Sequence, residues 1–113
     1  EDTLKYLLEM DEGSKRLGEV ALISHNSPIS NLNILFYNTL FDENASCHIA
    51  LGAGYNDTID GHLDMTNEEC RALGINDSMI HVDFMIGTAD TKITATTKDG
   101  KKEVIFDNGE WII

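Results

Sequence analysis

Ile80-His81-Val82-Asp83-Phe84-Met85-Ile86 decides how the rest of the chain is read. Its β-branched and aromatic side chains over seven positions spell a strand, and its length is too short for a buried helix. Two further strand signals follow, Lys92-Ile93-Thr94-Ala95-Thr96-Thr97 and Glu103-Val104-Ile105-Phe106, with Asp99-Gly100 between them as a hairpin turn. A second turn at Asn108-Gly109 leads to Trp111-Ile112-Ile113, where Trp111 is expected to cap a core.

Upstream of that strand, Thr66 and Glu69 form the capping box of a short helix that stops at Gly74. Cys47-His48-Ile49-Ala50-Leu51 reads as a buried strand closed by Gly52-Ala53-Gly54, and residues 54–64 read as loop. Asp42-Glu43-Asn44 reads as a solvated loop rather than a second metal site, while Ile34-Leu35-Phe36-Tyr37 is apolar and fits a strand or a buried helix equally. Val20-Ala21-Leu22-Ile23 has strand length and breaks at His25-Asn26-Ser27-Pro28. Residues 3–10 set Leu4, Leu7 and Leu8 on one helical face, ended by Asp11-Glu12-Gly13. With no repeat, linker or low-complexity tract, these segments predict one α+β domain: a small mixed sheet with short helices.

Composition narrows the function classes. Twenty acidic residues against 8 basic ones give a formal charge of −12, which argues against binding to nucleic-acid phosphates or anionic lipid and is compatible with cationic partners such as metal ions and protonated amines. No apolar run approaches the roughly 20 residues of a membrane span. Cys47 and Cys70 make no disulfide framework, so a reducing, cytoplasmic setting is expected. The three Asn-x-Ser/Thr triplets, at Asn44, Asn56 and Asn76, are then chance matches. The chain opens at Glu1 straight into a helical pattern, which suggests a cut inside a longer polypeptide and fits a processed terminus equally.

The anomaly that carries chemistry is charge inside apolar strands. A buried carboxylate or imidazolium costs several kcal/mol unless it is paired, neutralised or bound to a metal. Glu19 abuts an apolar run, His48 sits within another, and His81 and Asp83 interrupt the strand quoted first. Strand side chains alternate, so His81 and Asp83 share a face. Such a pair can bind a divalent cation, and it can equally form a plain His–Asp hydrogen bond. Two histidines and two carboxylates together match the mixed donor set of a hydrolytic metal site.

Arg16-Leu17-Gly18-Glu19-Val20-Ala21-Leu22, Ser27-Pro28-Ile29-Ser30, the long segment from Leu35 to Gly52, His81-Val82-Asp83-Phe84-Met85-Ile86-Gly87 and Ile105-Phe106-Asp107-Asn108-Gly109-Glu110-Trp111 resemble, in order, the hallmark segments of the M29 family of metalloaminopeptidases. The resemblance implies that Glu19, His48, His81 and Asp83 are metal ligands and that Tyr55 is the active-site tyrosine, stabilising an oxyanion. It implies two divalent ions (zinc, cobalt or manganese), peptide substrates cut at their N-terminal residue, and a homodimeric parent protein. The family's further metal-binding glutamate and its general-base glutamate have no counterpart in these residues. This chain is therefore expected to be the C-terminal part of the metal-binding catalytic domain, with an incomplete site and no activity alone. His62 stands where the pattern expects glycine. A free-standing, non-catalytic domain that binds a metal or a protein partner is the alternative reading.

Other signals are weaker. Cys47 and His48 are strand neighbours on opposite faces, so they make no thiol–imidazole pair, and Cys47 reads as a small buried hydrophobe. Gly52-Ala53-Gly54 lacks the third glycine and the helix of a dinucleotide fingerprint and reads as a turn. His25 and His62 read as exposed loop residues.

Overall fold

A computed structural model describes residues 2–113. The described residues gather into two compact units, one of residues 2–20 together with Ile49–Phe84, the other Ala21–His48 together with Met85–Ile113. The α+β architecture is as the sequence implies, and its strands divide into two three-stranded sheets.

The first sheet has the order β1 (Leu17–Ala21), β2 (His48–Gly52), β3 (His81–Met85), with β2 central. Its pairing is antiparallel. The last residue of β2, Gly52, donates its N–H to the carbonyl of Arg16 just before β1, and Ala53 donates to Ile80 just before β3. The central strand alternates buried and half-buried residues, with His48, Ala50 and Gly52 buried. That alternation turns His48 inward, away from solvent.

Two glycines let these strands close. A Cβ at Gly18 would stand 2.3 Å from the carbonyl oxygen of Ala53, and one at Gly52 would stand 2.1 Å from that of Ile80. Gly52 also holds a φ of 101°, which side-chain-bearing residues rarely adopt.

Helix α1 (Asp2–Leu8) keeps Leu4, Leu7 and Leu8 on its half-buried face and is followed by a single 3₁₀ turn at Gly13–Lys15. Asp11 ties this end of α1 to the approach to β3. Its carboxylate accepts from the Met79 N–H at 2.7 Å, the Ser14 N–H at 2.8 Å, and the hydroxyls of Ser14 and Ser78, both at 2.9 Å. The Met79 bond foremost, with the two serines, lowers its pKa to about 2 against the opposing effect of desolvation.

In the second unit α2 (Pro28–Asn31) starts at the Ser27 cap, and α3 (Thr39–Asp42) starts at the Asn38 cap. The second sheet runs in the order β4 (Ile93–Thr96), β5 (Lys102–Asp107), β6 (Glu110–Trp111), antiparallel throughout. Asn108 and Gly109 both have positive φ, the requirement of a two-residue hairpin turn. Phe106 is fully buried, and Trp111 meets it edge-on at 5.4 Å, the capping contact expected of it. Back in the first unit, helix α4 (Asn67–Ala72) carries the Thr66–Glu69 capping box in full.

Several local expectations are corrected. The strand expected at Val20–Ile23 begins earlier, at Leu17, and so contains Glu19 rather than following it. Gly52 at the end of β2 bonds to Arg16 just before Leu17, a long-range contact that the apolar run alone does not record. Ile34-Leu35-Phe36-Tyr37 is neither strand nor buried helix: Tyr37 is 90% exposed, and the segment is irregular. Asp42-Glu43-Asn44 is helical rather than loop, because the Asp42 carboxylate accepts the N–H groups of Phe36 at 2.8 Å and Asn38 at 3.1 Å and winds the chain locally. Residues 54–64 include two single 3₁₀ turns. His62 is half-buried, its Nδ1 at 3.2 Å from the carbonyl of Ile59. His25 is exposed, as expected.

Candidate metal centre

Three of the residues singled out in the sequence meet in the first unit. Glu19 on β1 and His81 and Asp83 on β3 offer ligand atoms that all lie within 4.8 Å of one another. Alternation along β3 places His81 and Asp83 on one face, as the spacing predicts. His81 Nε2 lies 3.2 Å from Asp83 Oδ1 and 3.6 Å from Glu19 Oε2. All three side chains are shielded, at 27% exposed or less.

The other nitrogen of His81 sets what Nε2 offers. Nδ1 lies 2.7 Å from the carbonyl oxygen of Ala53, which only accepts, so Nδ1 carries the proton and donates. In a neutral ring, Nε2 then presents its lone pair toward the carboxylates. This is the arrangement of a metal-ligating histidine, whose second nitrogen is held by a carbonyl or carboxylate.

Asp83 Oδ1 is buried and makes no hydrogen bond, although His81 Nε2 is near. An ionised oxygen in that condition is costly unless a cation or a proton meets it. The donor set is therefore suited to a divalent ion: one imidazole nitrogen and two carboxylates, one of them with an unsatisfied buried oxygen.

Tyr55 lies just beyond the end of β2, in the same unit, and its ring is 5.0 Å from that of His81, tilted by 45°. The residue is half exposed while its ring packs on the candidate ligand histidine. A groove of about 300 Å³ lined by Tyr55, Asn56, Asn67 and Arg71 opens beside it.

His48 belongs to the second unit and is 1% exposed. Its Nδ1 lies 3.0 Å from the carbonyl oxygen of Ser46, so it too donates from Nδ1, with Nε2 as the ligand-type nitrogen. Cys47 beside it is buried and engages the backbone of Ile23, with its Sγ 3.3 Å from the Ile23 nitrogen, in keeping with an inert packed thiol.

The sequence reading missed Ala53. Its carbonyl fixes the tautomer of His81, yet any residue supplies a carbonyl, and only the glycines around it mark a close backbone approach.

Residues 1–111 match the thermophilic metalloprotease (M29) family. The chain is 56% identical over 110 residues to Aminopeptidase 2 of Geobacillus stearothermophilus, covering 97% of this chain and 27% of that protein. It is 59% identical over 111 residues to Aminopeptidase AmpS of Bacillus subtilis, covering 98% of this chain and 27% of that one. In structure it is similar to wild-type AmpT from Thermus thermophilus, with a TM-score of 0.87 at 40% identity, over 100% of this chain and 27% of that one. The chain thus spans about a quarter of the length of the relatives it matches. With ordered motifs, a shared fold and a match along nearly its whole length, the chain belongs to the thermophilic metalloprotease (M29) family.

Proposed function

We propose that the protein carrying this chain is a metal-dependent aminopeptidase that releases N-terminal amino acids from peptides. The observation that carries the reading is the approach of Glu19 and Asp83 to His81 Nε2, with Nδ1 tied to Ala53. Glu19, His81, Asp83 and His48 are the proposed ligands of two divalent ions, zinc, cobalt or manganese; His48 enters on its burial and its Nδ1-bonded ring. The bound ions would supply Lewis acidity and lower the pKa of a water.

The chain's own residues supply the rest of what this segment contributes. Ala53 holds the imidazole of His81 in its ligand tautomer. The Tyr55 phenol is proposed to donate a hydrogen bond to the oxyanion that develops on the scissile carbonyl. The groove beside Tyr55, at about 300 Å³, is at the small end of ligand sites and offers room for a substrate residue. Relatives named as aminopeptidases support the activity.

The chain is proposed to be the C-terminal part of the metal-binding catalytic domain, inactive alone because the general base and a further ligand lie on other residues. A cytoplasmic homodimer is the proposed setting. Exposed Ile34, Leu35, Tyr37 and Leu40 offer apolar surface for burial against further protein. No helix among the described residues is long and apolar enough to cross a membrane. In the full-length protein, His81→Ala should remove bound metal and peptidase activity together. Unchanged metal content and turnover in that variant would reject the assignment.

A further inference from the structure

We infer that Asn76 is a positioning residue for His81, acting through the two peptides that flank Ala53, its side chain on the Gly52–Ala53 peptide and its main chain on the Ala53–Gly54 peptide; this rests on the ligand role proposed above for His81. The aim of the imidazole depends on one acceptor, the Ala53 carbonyl, 2.7 Å from Nδ1. That carbonyl sits in a turn flanked by Gly52 and Gly54, where the backbone is intrinsically free to rotate.

Asn76 grips the turn on both sides of Ala53. Its own carbonyl accepts the Gly54 N–H at 2.8 Å. The Gly54 N–H and the Ala53 C=O belong to one planar peptide, so a bond to the first fixes the direction of the second. The Asn76 side chain then donates from Nδ2 to the carbonyl of Gly52 at 2.6 Å. This oxygen belongs to the preceding peptide, whose Ala53 N–H is held by Ile80 at 2.7 Å. A second donation from the same Nδ2, to Gly13 at 2.9 Å, anchors the amide itself.

Both peptides around Ala53 are thus pinned at each end, and Asn76 supplies a pin to each. The side chain suits the task because a primary amide nitrogen offers two donors. An aspartate there would set oxygen against two carbonyl oxygens. A glutamine would carry its amide one methylene too far.

The test uses the full-length, metal-loaded protein. Asn76→Asp should weaken metal affinity about tenfold, the low end of what loss of an outer-shell partner costs, measured well below the variant's melting temperature. The hydrogen-bonded Nδ1 proton of His81, followed by NMR in the metal-free protein, should shift or broaden. If Asn76→Asp does not fold, Asn76→Ala, which removes both donations without adding charge, is read the same way. A folded variant that melts lower yet keeps parental metal affinity and an unaltered His81 signal overturns the inference, leaving a purely structural asparagine. A parental His81 found protonated on Nε2 alone overturns it without any variant. His81→Ala serves as the control: if it too keeps parental affinity, the ligand reading has failed, and if it loses metal while the Asn76 variants do not, the positioning inference alone has failed.

Discussion

Asp83 Oδ1 lies 3.2 Å from His81 Nε2 and is nevertheless left without a hydrogen bond. A carboxylate oxygen so placed is open to a cation as well as to the imidazole. The plain His–Asp hydrogen bond open to the sequence would have aligned donor and acceptor. An ionised oxygen so placed is costly unless a cation or a proton meets it, and a divalent ion would relieve that cost.

Asp83→Asn separates stability from function at this point. Removing the charge should leave metal-free stability unchanged or raise it by about 1 kcal/mol, the low end of the cost of an unsatisfied buried polar group. Metal affinity should fall by more than the roughly tenfold that loss of an outer-shell partner costs, because the carboxylate is itself a proposed ligand. Thermal unfolding with and without metal measures both, and a metal-free variant destabilised by several kcal/mol would mean that the carboxylate has a structural partner.

Tyr55→Phe keeps the ring that packs 5.0 Å from His81 and removes only the hydroxyl. Metal content should stay at the parental value while kcat falls about 100-fold, as for removal of one oxyanion-hole donor. A change confined to KM would assign the hydroxyl to substrate binding instead.

Gly52→Ala should cost more than about 2 kcal/mol, because a positive φ and a Cβ 2.1 Å from the Ile80 carbonyl act together. Gly100→Ala is the comparison: its φ is also positive, at 86°, but nothing lies within 4 Å of the new Cβ. That variant should cost only about 1 kcal/mol. Equal losses in chemical denaturation would show that conformational strain, and not the close approach of β2 to the start of β3, is what Gly52 relieves.

Asp11 gives the acid limb of stability a defined window. Its pKa in the folded protein is lowered to about 2 from 3.8, chiefly by the Met79 N–H. A depressed folded value means the contribution is complete above 3.8 and is lost as pH falls through that value toward 2. Asp11→Asn should destabilise the protein at neutral pH and flatten the decline over this window, so that variant and parent converge at its acidic end. Parallel acid-unfolding curves would mean that the Asp11 bonds do not persist in solution.

Much of this protein was legible locally. The period of two put His81 and Asp83 on one face of β3, the Thr66–Glu69 spacing gave the capping box of α4, and Asn108-Gly109 gave the last hairpin. Each depends on residues within a turn or two of one another, where steric and hydrogen-bonding preferences act directly. The motif resemblance added the family and named the remaining candidate site residues. What the tertiary structure decided is how separated segments meet: Glu19 on β1 against His81 on β3, the Ala53 carbonyl against His81 Nδ1, and the Asn76 amide against the Gly52 carbonyl. Those contacts depend on strand register and on backbone groups that every residue possesses, so no local pattern of side chains records them. The irregular, exposed course of Ile34–Tyr37 has the same origin, since an apolar run becomes strand or helix only where a partner element is there to pair with it or bury it.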